Sequence, residues 1–281
     1  MTAREVNCRV FFDTETWCRS TEKLRRWIRK SVQGTRLYDE NEPISLPGDK
    51  PFEKTGFAVT RERTFACAER LMKEHEGKRV GVLNFASATH PGGGVRSGAS
   101  AQEEALCRCS TLYPVLTSPS LKPGYYDYHR KQGGRRYTGR CIYTPDIVIC
   151  KTDQQIPQRM AEEEWRRADV ISCAAPNLRT WNDDASGADR IPQEELLAIH
   201  QDRARRILSV AASNGIELFV SGAHGCGAFR NDPKVVAAAW KNVLPEFDGY
   251  FLQIVFAVYS AKDDENYETF SRIINHEKVD S

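Results

Sequence analysis

Apolar residues recur along this chain in two rhythms, and the change between them lays out the elements. In residues 20–33, Leu24, Trp27, Ile28 and Val32 fall three or four positions apart, which predicts an amphipathic helix. Residues 34–58 are rich in Gly, Pro and polar residues and read as irregular. Thr60 is a capping residue type, and a helix is expected from it to about Glu76, with Phe65, Ala68, Leu71 and Met72 inward and Gly77 as its stop. The rhythm then gives way to short unbroken apolar runs. Residues 79–85, RVGVLNF, predict a strand covered on both faces. One or two strand segments are expected in 141–150, and further strands in 169–176, 216–222 and 250–259. Helices are expected between them: 100–113, 192–214 opened by Pro192 and ended by Gly215, 232–244 opened by Asp232-Pro233, and 265–275.

Strands alternating with helices predict an α/β fold, with helices on both faces of a mixed, largely parallel sheet. Such sheets hold ligands in the crevice beyond the carboxyl ends of their strands. Two glycine-bearing loops, 86–101 and 222–231, fall at that place. The expected organisation is an N-terminal helical extension over 1–54 packed on a core over 55–281.

Composition narrows the function classes. A formal charge of +2 over 281 residues lacks the basic excess of a general nucleic-acid binder, so no direct DNA binding is expected. No run approaches the roughly 18 apolar residues that a membrane span needs, and the N-terminus has charges throughout. The nine cysteines are an odd number without a secretory start, which predicts reduced thiols in a soluble, cytoplasmic protein. Cys107 and Cys109 have no second pair at zinc spacing, so they read as buried structural thiols.

The two loops carry the candidate chemistry. Glycines let a backbone approach a ligand closely, and exposed N–H groups before a helix favour an anion. Two such loops facing each other suit a diphosphate. Neither matches a P-loop or a full Gly-x-Gly-x-x-Gly fingerprint. Gln102-Glu103-Glu104 follows the first loop at a helix start, where the helix dipole alone favours carboxylates. Adjacent helical side chains are rotated by about 100°, so the two glutamates are expected to take different jobs, one fixing a substrate and one exchanging a proton. A diphosphate beside a carboxylate points to a nucleotide-sugar bond.

Val82 to Ala88, Pro91-Gly92-Gly93-Gly94, Ala101-Gln102-Glu103-Glu104 and Arg108 to Tyr113 together resemble the bacterial-type poly(ADP-ribose) glycohydrolases, which are macrodomain enzymes. The likeness continues through Ala174 to Asn177 and Gly225 to Pro233, and covers most of the chain from about residue 55. The resemblance implies a three-layer α/β/α macrodomain that hydrolyses ribose–ribose O-glycosidic bonds, mainly from chain ends, without a metal or other cofactor. It implies Glu104 as general acid and base and Glu103 as the group that orients the ribose. Gly92, Gly93, Gly94 and Val95 would hold the diphosphate, and a side chain on Gly93 would clash with it. Gly225, Cys226, Gly227 and Ala228 would close over the diphosphate from the other side, and Phe229 would pack on the ribose. Asn84, Ala86 and Gln102 complete the expected substrate contacts. Phe229 is equally placed to staple the helix after it, and Asn84 to satisfy a turn. His90 and His224 read as hydrogen-bonding loop residues, and Arg96 and residues 130–136 as solvated basic loops. The expected partners are poly(ADP-ribose) or an ADP-ribosylated protein as substrate and ADP-ribose as product, with the enzyme a monomer. A non-hydrolytic ADP-ribose reader, and a hydrolase of single ADP-ribose units on protein or nucleic acid, are the competing readings.

Overall fold

The computed structural model describes residues 1–179, 191–260 and 264–275. In chain order the elements are α1 (Ala3–Ser20), α2 (Glu22–Gly34), β1 (Arg36–Tyr38), β2 (Gly56–Thr60), α3 (Thr64–Glu74), β3 (Val80–Phe85), α4 (Gln102–Cys109) and α5 (Leu112–Leu116). After a π-helical turn at Lys122–Asp127 come α6 (Tyr128–Gln132), β4 (Cys141–Ile149), β5 (Arg166–Cys173), α7 (Gln193–Ser213), β6 (Leu218–Ser221), α8 (Pro233–Val243), β7 (Gln253–Ala257) and α9 (Glu265–Asn275).

Seven strands form one sheet in the order β1-β4-β5-β3-β6-β7-β2. The five from β5 to β2 are parallel, and β4 and β1 add antiparallel at one edge. Period-two alternation divides the strand residues between two cores. Leu83, Ile171, Phe219, Ile254 and Phe256 face the layer of α7, α8 and α9, where Ile207, Leu208, Trp240 and Phe270 bury. Val82, Val170, Leu218, Val220 and Val255 face the other layer, with Phe11 of α1, Phe65 and Leu71 of α3, and Leu106 of α4. This is the expected α/β/α arrangement of helices on a mixed, largely parallel sheet. All nine cysteines are free, and Cys107 and Cys109 are fully buried in the second core. Among the described residues, no helix is long and apolar enough to cross a membrane.

Several elements depart from the pattern expected of them. Residues 34–58 are not wholly irregular: β1 and β2 form there, each too short to show an alternation and each defined by its pairing with a neighbour. Thr60 ends β2 instead of capping α3, whose first turn is capped from outside by the Asp153 carboxylate, accepting the Phe65 N–H at 2.9 Å. The single helix expected over 100–113 is broken. Thr111 N–H donates to Val148 O at 3.0 Å and its hydroxyl accepts the Val148 N–H at 3.0 Å, pulling the chain onto β4 before α5 starts. The 18-residue helix α1 has no counterpart in the apolar rhythm. A capping box starts it, with Thr2 Oγ1 accepting the Glu5 N–H at 3.3 Å and Glu5 accepting the Thr2 N–H.

Candidate active site

A cavity of about 820 Å³ opens where the parallel strands end, between Phe85 at the end of β3, Ala175 beyond β5, His224 beyond β6, Tyr259 beyond β7 and Arg63 beyond β2. Helix α4 starts at its wall. Gln102 ties that start to its surroundings: Oε1 accepts the Phe85 N–H at 2.9 Å, and Nε2 donates to Leu83 O at 2.7 Å and Thr64 Oγ1 at 3.1 Å. Its amide is therefore spent on β3 and α3. Gln102 fixes the helix start while also lining the cavity.

Glu103 and Glu104 are both buried and both line the cavity. Glu103 Oε2 accepts the Ser87 N–H at 2.7 Å, and Oε1 accepts Asn84 Nδ2 at 3.4 Å. Asn84 also donates to Ser172 Oγ at 2.9 Å, its registered neighbour on β5, and is fully buried. It neither lines the cavity nor satisfies a turn; the expected ribose ligand instead holds Glu103 from behind. Burial, reinforced by the charge of Glu104, pushes the Glu103 carboxyl up to about 8 against the pull of the Ser87 N–H and Asn84. Glu103 accordingly keeps a proton at neutral pH. Glu104 Oε1 accepts the Gly94 N–H at 2.8 Å, while Oε2 is buried without a partner.

Although the two carboxylates leave the helix in directions about 100° apart, they lie close to one point of the loop. The glycine loop folds back over the start of α4, and both converge on Gly93. A Cβ placed there would lie 2.4 Å from Glu104 Oε1 and 3.1 Å from Glu103 Oε2, on a backbone with φ of +58°. A side chain on Gly93 therefore collides first with the catalytic candidates themselves, before any diphosphate. The loop's donors are also engaged: Gly93 N–H with His90 O at 2.9 Å, Gly94 N–H with Glu104, and Val95 N–H with Gly92 O at 3.2 Å. These N–H groups do not form the expected diphosphate cradle. Gly93 and Gly94 reach the cavity, whereas Gly92, Val95 and Ala86 are buried outside its lining, Ala86 with its N–H on Cys173 O at 3.2 Å. Their contribution is the shape of the loop.

The second loop has the opposite character. Gly225, Gly227, Ala228 and Phe229 line the cavity, and among the described residues their N–H groups have no partner within the chain. A run of such donors is an anion site. Cys226 is the exception: its N–H donates to Ala223 O at 3.1 Å and its side chain packs on the core, away from the cavity. Asn231 sets the loop's curve, donating to Pro176 O at 2.7 Å and Gly225 O at 3.0 Å while its Oδ1 meets His200 Nε2 at 2.9 Å. His224 contacts Cys173 O through Nε2 at 3.0 Å, and burial pushes its imidazole down to about 3, so it is neutral. His90 is exposed, with Nδ1 2.9 Å from Thr89 Oγ1. Phe229 approaches Tyr137, ring centroids 6.3 Å apart, at the mouth beside residues 130–136. In that segment Arg130 pairs with Asp127 and Arg136 with Glu195, and elsewhere Arg96 pairs with Glu15.

The far end of the cavity holds residues that the sequence reading did not single out. Arg63 lies over the ring of Tyr259 at 4.0 Å, and its guanidinium is 4.0 Å from Asp153 Oδ1. Tyr259 is an exposed aromatic beside a buried carboxylate, an arrangement that suits a flat heterocycle with a donor edge. The signal for it was available: Tyr259 is the last residue of a predicted strand, where the crevice rule places ligands.

A family model described as "Microbial-type PARG, catalytic domain" matches residues 13–152, which contain the first glycine loop and both glutamates. The poly(ADP-ribose) glycohydrolase of Thermomonospora curvata has a solved structure 33% identical to this chain. It covers 96% of this chain and 100% of its own with a TM-score of 0.81. The same enzyme bound to the inhibitor ADP-HPD is 33% identical, covers 96% and 99%, and has a TM-score of 0.79. The poly(ADP-ribose) glycohydrolase of Deinococcus radiodurans in complex with ADP-ribose is 35% identical, covers 88% and 96%, and has a TM-score of 0.75. No curated protein sequence matches. With two glutamates converging on a glycine loop across a cavity from free backbone donors, and with likeness to those enzymes over nearly its whole length, this chain belongs to the microbial-type poly(ADP-ribose) glycohydrolase family.

Proposed function

We propose that this chain hydrolyses the ribose–ribose O-glycosidic bonds of poly(ADP-ribose), mainly from chain ends, releasing ADP-ribose. The observation that carries this reading is the convergence of Glu103 and Glu104 on Gly93 at the cavity wall. A cavity of about 820 Å³ is in the size class for one nucleotide-sized ligand, which favours a terminal unit.

In this reading the diphosphate lies on the free N–H groups of the second loop, the adenine at Tyr259 and Arg63, and the distal ribose between Phe229 and the glutamates. Ribose hydroxyls donating to Glu103 favour its ionised form. The proton held by the pair passes to Glu104, whose Oε2 is free to give it to the leaving ribose oxygen as the C–O bond breaks. Glu104 then takes a proton from the water that attacks the anomeric carbon. Gly94, through its N–H on Oε1, fixes the direction in which Oε2 points.

The proton on the pair sets the pH dependence. A carboxyl with its pKa raised to about 8 is protonated below that value and loses the proton as the pH rises through it. The expected kcat/KM is therefore sustained near neutral pH and falls about tenfold per unit on the alkaline side of about 8. A pH–rate profile checks this, and a rate flat from pH 7 to 10 would contradict it. The product pattern tests the substrate reading. ADP-ribose monomer should be the dominant early product from long polymer. Early oligomers would mean internal cutting, and release from singly modified protein alone, with polymer untouched, would favour the single-unit hydrolase.

A further inference from the structure

Helix α1 has no residue in the cavity, yet it packs directly on the loop that carries Gly93 and Gly94. Asn7 Nδ2 donates to Gly98 O at 3.1 Å. Glu15 pairs with Arg96 at 2.8 Å, and the Arg96 guanidinium lies over the rings of Phe11 and Phe12 at 5.7 and 5.2 Å. Phe11 is fully buried and stands edge-on to Tyr113 at 4.8 Å, and the Tyr113 ring fills the space where a Cβ on Gly92 would sit. Gly98, with φ of +77°, approaches α1 so closely that a Cβ would lie 2.3 Å from Arg4 O. The loop is thus held at its beginning, at Arg96 and at its end.

The helix is itself fixed to the core. Buried Lys151 donates to Val10 O at 3.0 Å and pairs with Asp13 at 2.7 Å, and Thr14 Oγ1 donates to Arg108 O at 2.7 Å. Arg108, in turn, donates to Ala99 O at 2.7 Å. Between these supports, Gly94 O accepts the N–H groups of Ser97 at 3.0 Å and Ala99 at 3.2 Å, which leaves the Gly94 N–H aimed at Glu104 Oε1.

We infer that α1 is a positioning element for the reaction: its contacts with residues 92–98 hold the one loop conformation in which Gly94 orients the Glu104 carboxyl, and Asn7 is a positioning residue of that brace. The inference rests on the reading of Glu104 as the catalytic acid. Small errors at a reacting group are costly in rate, because the chemistry depends on sub-ångström placement. Binding of ADP-ribose, in contrast, depends on the second loop, which α1 does not touch.

The test is Asn7→Ala in the full-length chain, with Glu104→Gln run beside it. Asn7 is half-buried where α1 meets the loop and lies outside the apolar cores, so the fold tolerates its truncation. Loss of one hydrogen bond that locks the loop is expected to lower kcat on poly(ADP-ribose) by roughly five- to tenfold, with the ADP-ribose Kd from calorimetry within twofold. Gly98→Ala should show the same split more strongly. A kcat for Asn7→Ala within twofold of wild type overturns the brace. So do equal losses of kcat and affinity, which would mean a general loosening. Glu104→Gln at wild-type rate would instead remove the acid assignment, and that result is read independently of the Asn7 variant.

Discussion

Replacing Glu104 by glutamine is expected to lower kcat on poly(ADP-ribose) by roughly 10²- to 10⁴-fold while leaving ADP-ribose affinity within about 1 kcal/mol. The substitution is nearly isosteric. Its amide oxygen still accepts the Gly94 N–H that Oε1 accepts now, so the loop keeps its shape. What disappears is a proton-transfer group at the cavity wall beside Gly93 whose second oxygen is buried without a partner. The diphosphate donors lie across the cavity on residues 225–229 and do not depend on this carboxyl. Glu104→Ala is a harsher change, since it also strands the Gly94 N–H without its acceptor. Steady-state rates and calorimetry on the same preparations separate the two effects. Turnover by Glu104→Gln at a tenth of wild-type rate or more would exclude it as the acid.

The second large effect is at Gly93. Gly93→Ala is expected to cost roughly 10²-fold in kcat, the scale of an ångström misplacement at a reacting group, and about 1–2 kcal/mol of stability from the left-handed backbone. The new methyl would sit 2.4 Å from Glu104 Oε1 and 3.1 Å from Glu103 Oε2. Neither carboxyl can retreat freely, because Gly94, Ser87 and Asn84 hold them by hydrogen bonds. Gly93→Val should be worse in both respects. A melting curve gives the stability cost and single-turnover rates give the chemical one. Gly93→Ala with wild-type kcat would show that the two carboxylates do not act from their observed positions.

What the sequence made legible follows from the kind of information each element carries. Strands β3, β6 and β7 are buried on both faces, so their apolar runs were visible without knowledge of any neighbour. Helices α7 and α8 announced their starts with Pro192 and with Asp232-Pro233, and Asp232 does cap, accepting the Lys234 N–H at 2.8 Å. Helix α1 did not show in the apolar rhythm because Thr14 interrupts its buried stripe and much of its anchoring is polar, through Asn7, Asp13 and Glu15. β1 and β2 are held by pairing, which no local pattern records. At the site, residue types were readable but partners were not. Asn84 and Gln102 both have the chemistry of a sugar ligand, yet the Gln102 amide is engaged by β3 and α3, and the Asn84 amide donates to Ser172 and Glu103 while its Oδ1 is buried without a partner. The glycine triplet was read as a donor cradle because glycine permits one. In the folded chain the Gly93 and Gly94 N–H groups are engaged by His90 and Glu104, while those of Gly225 and residues 227–229 have no partner within the described residues.

The central claim is that the paired glutamates hydrolyse a ribosyl bond at this cavity, and its most direct test is product analysis on poly(ADP-ribose) with wild type and Glu104→Gln side by side. The account predicts free ADP-ribose from wild type and essentially none from the variant, with both proteins binding ADP-ribose. Retained binding with no release by either protein would contradict it and leave the cavity as a reader of ADP-ribose.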